Sequence, residues 1–154
     1  MKKIILVMSI LLSAYIINAQ SYNTGIGLRA GNLPGITIKH FVSNTGAMEG
    51  ILSWYKQGFV VCGLYEFQKQ IPGANGLNWF VGGGAHLGFW DSNPYDNNAA
   101  NNLYMIMGLD VIFGLEYKIP SVPLSFSLDL KPSINLYGYS GWWTDGALTV
   151  RFCF

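Results

Sequence analysis

The sequence predicts an all-β fold, an eight-stranded antiparallel up-and-down transmembrane β-barrel. Three observations predict it. First, apolar and polar residues alternate, the period of a strand with two unlike faces. The clearest case is Leu109–Leu136. Leu109, Val111, Phe113, Leu115, Tyr117 and Ile119 share one phase, and so do Leu124, Phe126, Leu128, Leu130, Pro132, Ile134 and Leu136 beyond Pro120-Ser121-Val122-Pro123. Asp110, Ile112, Gly114, Glu116, Lys118, Ser125, Ser127, Asp129, Lys131, Ser133 and Asn135 take the other phase. Second, each arm of this hairpin keeps its alternation for about ten residues, the length a tilted strand needs to cross a bilayer. Third, the chain is 51% hydrophobic and 15% aromatic, has 19 glycines, and is only 11% charged, where soluble domains carry about 25%. Past the N-terminus no apolar run is long enough for a spanning helix.

The 154 residues amount to about one domain. Residues 1–19 read as a secretory signal peptide and 20–154 as the barrel. Lys2 and Lys3 form a positive start, Ile4–Ile17 is apolar and too short to span as a helix, and Ile17-Asn18-Ala19 offers a small residue at the cut. An N-terminal membrane anchor would need a longer run. Without Lys2 and Lys3, seven basic residues face eight acidic ones, a net charge of −1. With no basic cluster, this balance argues against a nucleic-acid partner.

The strands follow in order. Tyr22–Ala30 is the first, with Ile26, Leu28 and Ala30 on one phase. Gly31–Gly35 turns the chain into Ile36–Val42, and Ser43–Gly46 turns it into Ala47–Lys56. Gln57-Gly58 is a tight hairpin leading to Phe59–Gln68, and in these two strands Ile51, Val60 and Leu64 break the pattern by falling on the polar phase. Ile71–Gly76 is a loop before the fifth strand, Leu77–Trp90. Asp91–Asn102 is polar throughout and reads as an exposed loop. The Leu109–Leu136 hairpin supplies strands six and seven. Tyr137–Gly146 reads as an aromatic-rich loop, and Ala147–Phe154 is the eighth strand. With both termini on the periplasmic side, the two longest polar or aromatic loops, 91–102 and 137–146, fall on the external side, the asymmetry expected of such barrels.

Taking the polar phase as inward places Arg29, Lys39, Lys118, Lys131 and Arg151 in the lumen with Glu49, Glu66, Asp110, Glu116 and Asp129. Buried charges are tolerated when paired and hydrogen-bonded, and eight strands enclose a space just wide enough for side chains. The balance predicts a plugged, salt-bridged lumen. A soluble, lipocalin-like barrel would reverse the phase and crowd Phe, Leu and Trp into that space. Cys62 and Cys153 fall on the fourth and eighth strands, across the barrel from each other, which predicts two free thiols.

The segment Gly108–Leu136 resembles the penultimate hairpin of small outer-membrane β-barrel proteins of the Bacteroidota type. The terminal Ala147–Phe154 resembles the C-terminal signal read by the outer-membrane assembly machinery, with Phe152 and Phe154 at alternate positions. The overall plan is similar to the OmpA- and OmpX-type eight-stranded barrels of Gram-negative cells. This resemblance implies an outer-membrane location, outer-membrane lipid and the barrel-assembly machinery as partners, and a monomer. It implies no reaction.

Chemical candidates are few. His86 lies on the inward phase among glycines, where hydrogen bonding to a neighbouring carboxylate is the ordinary role and a catalytic base or ligand the sharper one. His40 faces outward near a strand end. Two His and two Cys, dispersed, give no metal-ligand spacing, Asp91 and Asp96 lack the spacing of a calcium loop, and no cofactor motif is present. Gly82-Gly83-Gly84 is not a phosphate loop; it relieves crowding in a curved sheet or makes room for Phe80 or Trp90. Trp79, Trp90, Tyr104, Trp142 and Trp143 lie near predicted strand ends, where barrels carry aromatic girdles. Trp142 and Trp143, in the predicted external loop, are also candidates for stacking on a sugar. The leading reading is a non-enzymatic outer-membrane barrel whose external loops, 91–102 and 137–146, bind any extracellular ligand. The alternatives are a lipid-modifying enzyme, such as a lipid A deacylase or acyltransferase built around His40, and a small porin-like pore.

Overall fold

The computed structural model describes residues 22–56, 58–90, 104–138 and 141–154. The predicted signal peptide and the whole of the predicted 91–102 loop lie outside them. Eight strands form one closed barrel in sequence order: β1 (Thr24–Gly31), β2 (Gly35–Phe41), β3 (Gly46–Tyr55), β4 (Gly58–Gln70), β5 (Leu77–Trp90), β6 (Tyr104–Lys118), β7 (Leu124–Tyr137) and β8 (Gly141–Cys153). Every neighbouring pair is antiparallel. β1 and β8 close the ring, from Gly25 opposite Cys153 to Gly31 opposite Ala147. Closure leaves no unpaired sheet edge. Among the described residues there is no helix.

The start of β1 and the end of β8 meet at one rim, the terminal rim, where Asn23 N and Thr24 N donate to Phe154 O. The β2–β3, β4–β5 and β6–β7 turns share this terminal rim; the β1–β2 and β3–β4 turns lie at the far rim, where β5 and β7 end and β6 and β8 begin. At the far rim Lys56 supplies the tight turn between β3 and β4 with a left-handed backbone, φ 52°. The predicted phases hold. Leu109, Val111, Phe113, Leu115, Leu128, Leu130 and Ile134 are exposed on the outer wall, and their sequence neighbours Asp110, Ile112, Glu116, Asp129, Lys131 and Ser133 are buried inside.

Two elements differ from expectation. β7 runs through Tyr137, and β8 begins at Gly141, so most of the predicted 137–146 loop is strand. The reason is the ladder. Asn135 pairs with Gly141, Ser133 with Trp143 and Lys131 with Asp145, and these partners outweigh the turn-like local composition. A register shift at Met107/Gly108 sets Met107 opposite Tyr137 and Gly108 opposite Asn135, a bulge of the kind that bends a strand near a rim.

Bulky inward residues sit where a neighbouring strand offers glycine. A Cβ on Gly27 would lie 2.6 Å from Arg151 Cγ, one on Gly114 2.7 Å from Phe80 Cζ, and one on Gly108 2.6 Å from His86 Cε1. A Cβ on Gly82 or Gly84 would instead meet the β4 backbone, at Tyr65 O and Gly63 O. Gly63 itself faces open space on the outer wall. Gly114→Val should therefore destabilise the barrel by about 1–3 kcal/mol through overpacking, and Gly63→Ala should stay within about 0.5 kcal/mol. Urea titration of refolded protein in detergent checks both.

Candidate functional site

The lumen holds nearly all the polar chemistry of the described residues. Four cations, Arg29, Lys39, Lys131 and Arg151, are buried with six carboxylates, Glu49, Glu66, Asp110, Glu116, Asp129 and Asp145, and with His86. The even balance expected from the sequence is corrected at two positions. Lys118 is only half-buried. Its Nζ donates to Ile119 O at 3.0 Å and Val122 O at 2.7 Å, holding the β6–β7 turn. Asp145, placed in a loop by its composition, lies on β8 and points inward. Reading the alternation of Ala147 and Thr149 back two residues is the signal that would have found it.

Three groups form. Toward the terminal rim, Arg151 from β8 bridges Glu49 and Glu116. Nη2 donates to Glu49 Oε1, and Nη1 donates to Glu116 Oε2 at 3.1 Å and Ser127 Oγ at 2.7 Å. Thr37 Oγ1 also donates to Glu49. Lys39 Nζ lies 2.6 Å from Glu66 Oε2 and donates to Gln68 Oε1 at 2.6 Å. The Lys39–Glu66 contact is an ion pair by distance without hydrogen-bond geometry, and Glu66 Oε1 and Glu49 Oε2 find no donor among the described residues. Three carboxylates thus meet two cations here. Tyr22, ahead of β1, closes this end by donating to Glu116 Oε1 at 2.7 Å. Burial and the Glu116 charge push its phenol well above its ordinary pKa, so it stays a donor.

The second group lies toward the far rim. Arg29 grips Asp129 in a two-pronged pair, 2.8 and 2.7 Å, and Nη2 reaches Asp145 Oδ2 at 3.1 Å. Asp145 Oδ1 accepts from Leu33 N at 3.3 Å, tying the β1–β2 turn to the network. The third group centres on Asp110. Lys131 Nζ donates to Oδ1 at 2.8 Å, Ser133 Oγ donates to the same oxygen, and His86 Nδ1 lies 2.9 Å from Oδ2. His86 Nε2 lies 2.9 Å from Asn135 Oδ1. His86 is therefore held by a carboxylate, the ordinary role expected of it. Cys62 Sγ sits 3.5 Å from Asp110 Oδ2. Both cysteines are free and buried.

Apolar side chains fill the remaining space. Ile51, Cys62, Leu64, Phe80 and Ile112 form one cluster from β3 to β6, which explains why Ile51 and Leu64 take the polar phase. Val60, Trp90 and Ile106 form a second at the far rim, with Tyr55 and Tyr104 packed against it. Two tryptophans expected near a rim or loop turn inward here. Trp90 is 3% exposed. Trp143 stands on β8 with Lys131 Nζ 4.9 Å from its ring centroid and His86 edge-on at 6.0 Å. Trp142, on the opposite phase of the same strand, is 82% exposed on the outer wall. Neither Trp142 nor Trp143 lies in a loop.

On the outer wall His40 Nδ1 lies 2.8 Å from Thr24 Oγ1, at the edge of a groove of about 560 Å³ that Gly50, Gly63 and Gly83 leave between Ile38 and Tyr65. Every Asp and Glu side chain among the described residues is buried in the lumen, so none of them backs His40. Phe152 and Phe154 stack at 6.3 Å beside the terminal rim. No group of metal-ligating side chains occurs among the described residues. No protein-family model, curated protein or solved structure matches the chain. The fold therefore defines the class, a closed eight-stranded antiparallel barrel with an ionic interior.

Removing one cation of the group toward the terminal rim strands its carboxylates. Arg151→Met leaves Glu49 buried without its cation and Glu116 with Lys39 alone, at 3.9 Å, and should cost about 3–5 kcal/mol. Lys118→Met, which loses only two hydrogen bonds to the β6–β7 turn, should cost about 1 kcal/mol. The same urea titration separates them.

Proposed function

We propose that this chain is a non-enzymatic integral outer-membrane β-barrel protein, monomeric, with a lumen closed by its own side chains and binding confined to the external mouth at the far rim. One observation carries the reading. Every strand turns large apolar residues outward, including Leu28, Ile38, Met48, Val61, Leu87, Val111, Leu128 and Val150, one from each strand, whereas monomeric soluble proteins rarely expose a contiguous apolar patch above a few hundred Å². A wall apolar around its whole circumference over an ionic interior suits lipid as the surrounding solvent. The signal-like residues 1–19 and the terminal Phe152 and Phe154 fit export and handling by the barrel-assembly machinery. The resemblance to small Bacteroidota barrels fits the same location.

The filled lumen favours a closed barrel over a pore. The lipid-modifying alternative would need a carboxylate beside His40, and Thr24 is the partner that the described residues supply.

A nitroxide on Leu128→Cys should be accessible to oxygen and shielded from a water-soluble nickel chelate in reconstituted membranes. Native Cys62 and Cys153 should resist maleimide until the protein is denatured. A water-soluble mature chain would overturn the membrane reading. Stable single-channel conductance in planar bilayers would overturn the closed lumen alone.

A further inference from the structure

A cavity of about 260 Å³ opens at the far rim of the barrel. Its walls are Leu33, Tyr55, Val60, Trp90, Ile106 and Trp143, with Asn32 and Thr144 at the edge. From these walls we infer that the cup is a binding site for a small, neutral, planar apolar molecule of one or two rings.

Three features argue for it. The first is construction. Trp90 could have anchored at the membrane interface, as tryptophans of such barrels do, yet it is folded into the lumen. Two glycines make that placement feasible. A Cβ on Gly58 would lie 2.2 Å from Trp90 Cδ1, and one on Gly88 would lie 2.5 Å from its Cζ3. Trp143 is likewise fixed, by Lys131 and by the edge of His86. Rigid aromatic walls need little ordering when a ligand enters, which favours binding.

The second feature is the state of the polar groups. Trp90 Nε1 already donates to Tyr55 O at 3.0 Å. Asn32 Nδ2 reaches Thr144 O at 3.4 Å. Asp145, next to Thr144 on β8, is committed to Arg29 and Leu33 N. Among the described residues no charged side chain lines the cavity. A sugar would bring several hydroxyls that need partners, and each one buried without a hydrogen bond costs free energy. A flat apolar ring needs none and gains from contact with the half-buried indole of Trp143.

The third is size. Pockets for drug-sized ligands run from about 300 to 1,000 Å³, and this one lies just below that range, which restricts the ligand to one or two rings. Access from outside the cell rests on the outer-membrane reading; the binding itself does not.

Indole is the probe. Full-length mature protein with ¹³C-labelled Val and Ile methyls is titrated with indole and followed by NMR, in detergent, or in buffer should the chain prove soluble. The expected result is saturable shifts confined to Val60 and Ile106, with the outward Val61 and Ile38 unmoved. Val60→Trp fills the cup and should weaken binding at least tenfold. Val61→Trp adds the same ring to the outer wall and should leave it unchanged. Trp143→Leu, which removes a wall without filling the cup, serves if Val60→Trp does not fold and should also weaken binding. Shifts that rise linearly with indole at all four methyls of the native protein would mean micelle partition and would overturn the site. Saturation by glucose but not by indole would overturn the ligand class.

Discussion

The narrow interior of an eight-stranded barrel is the constraint on which the rest depends. Such a space is filled by side chains, so any ionised group that points inward must find its partners there. Ten charged residues and His86 do so in three groups, each drawn from several strands. Arg151 from β8 joins Glu49 from β3 to Glu116 from β6, and Arg29 from β1 joins Asp129 from β7 to Asp145 from β8. Except for Arg29–Asp145, which joins the adjacent β1 and β8, these contacts bridge strands that share no hydrogen-bonded edge. The ionic network therefore fixes the cross-section in the same way that the ladders fix the wall. A buried pair is expensive to break from one side, which makes the network a device for one specific packing and not a general source of stability.

The same narrowness explains the glycines. An inward Arg, Phe, Trp or His needs space that the next strand must provide, and Gly27, Gly114, Gly58 and Gly108 provide it. It also explains the mixture of layers. Where β3 to β6 face one another, Ile51, Leu64, Phe80 and Ile112 form an apolar filling. A lumen packed only with ions would leave long side chains short of donors, and apolar residues occupy volume without that demand.

Much of this was legible in the chain. The alternation of Leu109–Leu136 set strand identity, the inward phase and the pairing of two arms. The breaks at Ile51, Val60 and Leu64 were visible but unexplained until Phe80, Ile112, Trp90 and Ile106 were seen to meet them. His86 among glycines pointed to a carboxylate partner, though not to Asp110 in particular. The segment Tyr137–Gly146 misled because its glycines, Ser140 and Asp145 resemble a turn. Strand formation there comes from β7, which offers hydrogen-bond partners through Asn135, a non-local contribution that local composition does not carry.

By itself, the sequence determined the fold class and the two faces of each strand, because a period of two is written into neighbouring residues. It also determined that most of the inward charges would be matched by opposite ones. Only the tertiary structure decided which ions pair, that Lys118 leaves the network and Asp145 enters it, and that Trp90 and Trp143 line a cup while Trp142 stays outside. The physical reason is that these outcomes depend on strand stagger and on distances across a closed ring, between residues up to 116 positions apart in the chain, and no local pattern encodes those distances.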